Sequence, residues 1–216
     1  TSKIEVEDIK KRVWSKDYQF FVAEDLPRKV DTTPIKKEKL EKKLDIVWIS
    51  RITPIKNLIE AIQIIKNIKY DITFTIYGSI FDEEYWKRCK QELEKLPENI
   101  KWEYLGNIDS EIVVKTLKKY HVFLFPTLGE NYGHVIQEAL SAGCPCIISD
   151  QTPWRDLEKY NAGYVINLKN KKEFLDKLKK YILLNNEEFA NCINDAHEYA
   201  INKSKDAILN TGYKKI

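Results

Sequence analysis

Short apolar runs alternate along the chain with longer stretches that carry an apolar stripe at helical spacing. Residues 44–49 (LDIVWI) form a nearly continuous apolar run, the pattern of a strand buried on both faces. Residues 57–66 follow, with Leu58, Ile62 and Ile65 on one helical face and Ile59, Ala61 and Ile64 widening it. Residues 71–77 (DITFTIY) are β-branched and aromatic and predict a strand. A charged helix is expected over 82–96, with Asp82 as N-cap. The same alternation continues with a strand over 100–104, a helix over 110–119 and a strand over 122–125. Residues 133–142 predict a helix closed by Gly143, with Pro145 just beyond. Residues 146–149 predict a strand. Thr152 and Pro153 read as the N-cap and first residue of a short helix. A strand over 163–166 and a helix over 171–184 complete the repeat.

About six strands, each joined to the next through a helical segment, give an α/β fold: a Rossmann-like, doubly wound parallel sheet. Ligands of such sheets sit at the carboxyl ends of the strands, here residues 50–57, 78–81, 106–109, 126–133 and 150–154. Outside the repeat, residues 5–13 suggest a helix and 18–23 a strand. The lysine-rich stretch 34–43 reads as a linker or exposed helix, a solvated charge run. Residues 187–203 and 205–215 look helical.

Composition narrows the class. The chain has 43% hydrophobic and 12% aromatic residues, a globular balance, and a net charge of only +3 from 36 basic and 33 acidic side chains. That weak bias does not point to nucleic acid. Cys89, Cys144, Cys146 and Cys192 form no CxxC pair and have three histidines for company, so neither a zinc site nor a disulfide framework is expected. They read as reduced structural thiols, which implies a cytoplasmic location. No apolar run approaches the roughly 20 residues that span a bilayer. No Met occurs, even at the first position, as expected for a piece of a longer protein.

Three strand-end segments carry candidate chemistry. In residues 50–57 (SRITPIKN), Arg51 and Lys56 stand five apart in the loop that enters a helix. Arg grips phosphate through a bidentate fork, Lys adds a point charge, and a helix N-terminus also favours anions. An ordinary basic surface loop fits this motif equally well. In residues 126–138 (PTLGENYGHVIQE), Glu130 lies in a loop and Glu138 eight residues on in the following helix. Amides from Tyr132 to Val135 open that helix and can cradle a diphosphate, while the two carboxylates can accept from sugar hydroxyls. Singly, Glu130 also reads as a capping carboxylate and Glu138 as a solvent-facing residue. In residues 149–156 (SDQTPWRD), helix initiation is the first reading, with Trp154 and Arg155 bordering the cleft. His121 and His197 stand apart from these loops, and His121 is expected to pack at a strand edge.

The stretch 124–156 closely resembles the retaining glycosyltransferases of family 4, also called group 1, whose E-x7-E signature is met by Glu130 and Glu138. Arg51 and Lys56 are similar to that family's paired cations. Ile76-Tyr77-Gly78 and Tyr104-Leu105-Gly106-Asn107-Ile108 match its other strand-end loops. The resemblance runs from about residue 30 to 184.

It implies the C-terminal half of a GT-B fold. Residues 34–204 would bind the nucleotide sugar, residues 1–33 would be a linker or remnant of the N-terminal domain, and residues 205–216 a helix packing toward that missing acceptor domain. Val30-Asp31-Thr32 resembles the interdomain hinge. Arg51 and Lys56 would hold the diphosphate and stabilise the leaving nucleotide. Glu130 would meet the transferred sugar, and Glu138 the ribose. Asn131, Tyr132, Gly133, His134, Val135 and Gly78 would contact the donor, with Asn107 and Ile108 beside the base. The donor would be UDP- or GDP-linked, with no metal and no other cofactor, and the TPWRD variant looks like members that build surface polysaccharides. Alternatives are a non-catalytic nucleotide-sugar binding module and a GT-B-like nucleotide-sugar epimerase. A hydride-transferring enzyme lacks its glycine fingerprint here. Lys36–Lys43 and 169–180 read as solvated faces or as a peripheral contact with an anionic membrane.

Overall fold

The computed structural model describes Val30, Thr33 and residues 35–210. The expected elements over 5–13 and 18–23 lie outside these residues, as do Asp31 and Thr32 of the hinge-like motif.

Six strands form one parallel sheet: β1 (Lys43–Ile49), β2 (Asp71–Tyr77), β3 (Ile100–Tyr104), β4 (Val122–Phe125), β5 (Cys146–Ser149) and β6 (Gly163–Ile166). Their spatial order is β3-β2-β1-β4-β5-β6. Order reverses between β1 and β4, which pair through Ile46 with Val122 and Val47 with Phe123. In open α/β sheets that reversal opens a crevice beyond the carboxyl ends, where ligands bind.

The helices are α1 (Leu58–Ile65), α2 (Glu83–Leu93), α3 (Val113–Leu117), α4 (His134–Ser141), α5 (Lys171–Leu183) and α6 (Asn186–Asn210). Helix α1 packs on α2 and α5, and α4 packs on α3 and α6, so the sheet is covered on both faces. The strands read as apolar runs because both faces are covered: all four residues of β4 and of β5 are buried. Trp48, Phe74, Phe123 and Phe125 are fully enclosed at the centre.

Capping follows the sequence in part. Asp82 caps α2, its carboxylate accepting from the Tyr85 amide at 2.8 Å. The helix expected over 110–119 is shorter, with a turn at 110–112 and helical bonding only over Val113–Leu117. The two helices expected beyond 187 are one continuous helix through Asn210.

The turn at Thr152 and Pro153 starts no helix. Thr152 Oγ1 accepts from the Trp154 amide at 3.3 Å, and a short 3-10 turn begins only at Leu157. Trp154 itself is buried.

The lysine-rich stretch is neither a helix nor fully solvated. Residues 35–40 run without regular structure. Lys37 Nζ donates to the carbonyls of Tyr120 (2.7 Å) and Gly143 (2.8 Å). Lys39 is 4% exposed, and its Nζ donates to Ile182 O at 2.9 Å and Leu184 O at 2.8 Å. Both ammoniums reach carbonyls at or just beyond helix C-termini, which carry unpaired acceptors and partial negative charge. Burial lowers the Lys37 ammonium to about 8.

Cys89, Cys144 and Cys146 are buried free thiols, and Cys192 is half-buried. His121 is buried immediately before β4. Its Nδ1 accepts from the Asp45 amide at 2.9 Å, and its Nε2 lies 2.9 Å from Glu38 O. A neutral ring with the proton on Nε2 satisfies both contacts, and burial lowers its pKa accordingly.

Candidate functional site

The loop after β1 lies flat against the loop after β2. Ile52 and Ile80 form an isolated parallel bridge, and the Ile52 amide donates to Ser79 O at 2.8 Å. Gly78 permits this contact. Its φ is +137°, and a Cβ there would stand 1.7 Å from the Ser50 carbonyl oxygen. Only glycine allows backbone so close. Tyr104 Oη donates to Gly78 O at 2.8 Å, and the Gly78 amide donates to Gly106 O at 2.7 Å, so the third loop joins the other two.

Downstream, Pro54 starts a 3-10 turn that ends at Asn57, held at φ +56°. Asn57 Nδ2 donates to Pro126 O at 2.9 Å. Thr127, fully buried, places its hydroxyl 3.0 Å from Ile55 O and 2.9 Å from Gly129 O. Ser149 Oγ donates to Thr127 O at 2.6 Å. Loops from β1, β4 and β5 are thus stitched together by short side chains on backbone carbonyls. Asn57, Thr127 and Ser149 were not among the residues singled out in the sequence. Their signal is a hydrogen-bonding side chain where a buried strand runs out, which many structural positions share.

An open cavity of about 590 Å³ has a wall that includes Arg51, Gly78, Asn107, Ile108, His134, Val135 and Glu138. Seven of the predicted residues therefore share one cavity. Glu138 is 6% exposed overall, so it is a buried carboxylate facing the cleft and not a solvent-facing helix residue. Arg51 is exposed at the mouth, its guanidinium 5.4 Å from the centre of the Phe81 ring.

Lys56, Glu130, Asn131, Tyr132 and Gly133 are not among the residues that line that cavity. Lys56 Nζ lies 2.7 Å from Glu130 Oε2, and Glu130 Oε1 accepts from the Asn131 amide at 3.1 Å. Gly133 is the N-cap of α4 at φ +82°, and its carbonyl accepts from the amides of Ile136 and Gln137. His134 and Val135 are the first residues of α4, and their amides lie upstream of the helix's own ladder. The Tyr132 ring rests on His134 with centroids 4.6 Å apart. Trp154 does not border the open cleft. It is buried, and its indole nitrogen donates to Tyr132 O at 2.6 Å.

The arrangement sets one cation, Arg51, at the mouth, a helix N-terminus along one wall and a carboxylate inside. Such a site suits a phosphate group attached to a hydroxyl-bearing ring. Among the described residues, no group of three or more His, Cys, Asp and Glu side chains is placed to hold a metal ion. No helix among them is long and apolar enough to cross a membrane.

The family described as glycosyl transferases group 1 matches residues 30–199. The chain belongs to this family. No curated protein matches it. Among solved structures, it is similar to a variant of S. aureus TarM in complex with fondaparinux, α-GlcNAc-glycerol and UDP. Identity there is 16% and the TM-score 0.63, over 97% of this chain and 42% of that one. It is similar to Anabaena HepE in complex with UDP and glucose at 17% identity and a TM-score of 0.66, over 79% of this chain and 48% of that one. The catalytic domain of cholesterol-α-glucosyltransferase from Helicobacter pylori aligns at 22% identity and a TM-score of 0.59, over 79% of this chain and 99% of that one. This chain therefore spans less than half the length of the first two. These likenesses establish a shared Rossmann-like fold.

Proposed function

We propose that this chain is the donor-binding domain of a retaining, hexosyltransferase-type enzyme. It takes a sugar from a UDP- or GDP-sugar and passes it to a glycan or lipid-linked acceptor in surface polysaccharide assembly. The observation that carries this reading is the single cavity in which Arg51, the start of α4 and the buried Glu138 face one another. The presence of UDP in the related TarM and HepE structures supports a uridine nucleotide as the first choice.

Each group then has a task. Glu138 accepts from the paired ribose hydroxyls, while Asn107 and Ile108 flank the base. Amides of His134 and Val135 meet the diphosphate, with Arg51 at its other side. Lys56 joins the phosphate oxygens as the bond from the sugar to the leaving oxygen breaks, where cations stabilise the negative charge that develops. Glu130, adjacent to Lys56, orients the transferred sugar. The two cations perform this charge stabilisation, so the reading requires no metal. Residues 34–204 form the donor half, and the acceptor half comes from an N-terminal domain. The protein works in the cytoplasm, with the acceptor presented at the inner face of a membrane.

The test is an assay of the full-length gene product against a panel of nucleotide sugars, with the anomeric configuration of the product read by NMR. Transfer from a UDP- or GDP-sugar with retention is expected. Inversion at the anomeric carbon, or epimerised donor formed without acceptor, would overturn the proposal.

A further inference from the structure

The Thr-Pro-Trp turn has no part in the donor chemistry above, yet it is tied to the loop that carries that chemistry. Trp154 Nε1 donates to the Tyr132 carbonyl at 2.6 Å. That carbonyl belongs to the peptide entering Gly133, the residue whose positive φ opens α4. The indole edge also bounds the turn sterically. A Cβ on Gly133 would stand 3.2 Å from Trp154 Nε1, 3.2 Å from Glu130 Cγ and 2.8 Å from Ile136 Cδ1. The indole, the Glu130 stem and the glycine thus meet at one point.

Trp154 is in turn braced by the last described helix. Its ring lies 6.1 Å from the Tyr199 ring on α6, and Tyr199 Oη donates to Asp156 Oδ1 at 2.5 Å. Asp156 lies two residues beyond Trp154, so α6 holds the turn from two sides. A buried tryptophan needs a partner for its N–H. Here the partner is the carbonyl of the peptide that enters Gly133, just before the first α4 amides.

We propose that Trp154 is a positioning residue: through Tyr132 it holds the Gly133 turn so that the first amides of α4 and the Glu130 stem face the donor. The ligand part of this inference rests on the donor reading above, whereas the strut itself is a property of the chain. A tryptophan acting only as core filling would contribute through its apolar surface, and its N–H could be removed without local consequence.

The experiment separates the two with Trp154→Phe and with an isosteric benzothienylalanine at position 154, which replaces the ring N–H by sulfur. Hydrogen exchange is measured at the amides of residues 133–137 in the ligand-free chain, and binding of UDP and UMP by calorimetry. Both variants are expected to exchange about 10-fold faster at these amides, the order expected for loss of one buried hydrogen bond. UDP affinity falls by a similar factor, while UMP, lacking the second phosphate, loses less than about threefold. Unchanged exchange in the isosteric variant overturns the proposal. So does an equal loss of UDP and UMP affinity. If the unsubstituted chain binds no UDP while exchange responds as expected, the donor reading fails and the strut is upheld.

Discussion

Lys56 Nζ stands 2.7 Å from Glu130 Oε2, in an ion pair whose side chains are only 11% and 18% exposed. The two residues come from different strand-end loops, and Thr127 joins those loops directly beneath them. The cation assigned to phosphate is thus held by the carboxylate assigned to the sugar. Lys56→Met and Glu130→Gln should each destabilise the fold by about 1–3 kcal/mol, less than for a fully buried pair broken on one side. The double variant should cost less than the sum, with a coupling of about 1 kcal/mol or more. Glu130→Gln frees the ammonium and should bind UDP at least as tightly as the unsubstituted chain. Urea melts and calorimetry check both statements; additive melts or a clear loss of UDP affinity in Glu130→Gln contradict them.

Gly78 acts through its missing side chain. With φ at +137° and the Ser50 carbonyl 1.7 Å from where a Cβ would be, Gly78→Ala must push the β1 and β2 loops apart. A destabilisation of about 3 kcal/mol or more is expected from strain and steric overlap together. A chemical denaturation midpoint within error of the parent would refute this role.

Lys37 gives a pH signature. Its folded value of about 8 lies below the unfolded 10.5. Between these values the unfolded chain binds more protons than the folded one, so this group adds stability as pH rises through the window. The buried thiols act in the opposite sense. Burial raises Cys144 to about 11 and Cys89 to about 12 from 9.0, so stability from these groups falls as pH climbs past the unfolded thiol value. Comparison with Lys37→Met isolates the lysine. The stability of the parent minus that of the variant should rise from pH 8 to 10.5, by at most about 1.4 kcal/mol per pH unit. A flat or falling difference would show that the ammonium is not buried as described.

The strands were legible because burial on both sheet faces writes itself as apolar runs such as 44–49 and 146–149. The site loops were legible because strand ends in a doubly wound sheet are where ligands bind; Arg51, Gly78 and Asn107 fall there, and Glu138 lies in the helix that follows one of them. What the sequence concealed depends on partners far along the chain. Lys37 and Lys39 looked solvated, but carbonyls at Tyr120, Gly143, Ile182 and Leu184 receive them. Thr152 and Pro153 looked like a helix start, until Trp154 is seen anchored to Tyr132. Local periodicity records which face of an element is apolar; it does not record which distant backbone group a polar side chain will meet.

The central claim is that the cavity lined by Arg51, His134 and Glu138 binds a sugar nucleotide. The most direct measurement is titration calorimetry of the 216-residue chain with UDP and with GDP, without added metal, repeated on Glu138→Ala. One nucleotide should bind more tightly than about 1 mM, and Glu138→Ala should weaken it by about 10-fold or more, the loss expected for hydrogen bonds to a charged acceptor. Failure of both nucleotides to bind in that range, or equal affinity in Glu138→Ala, would contradict the claim.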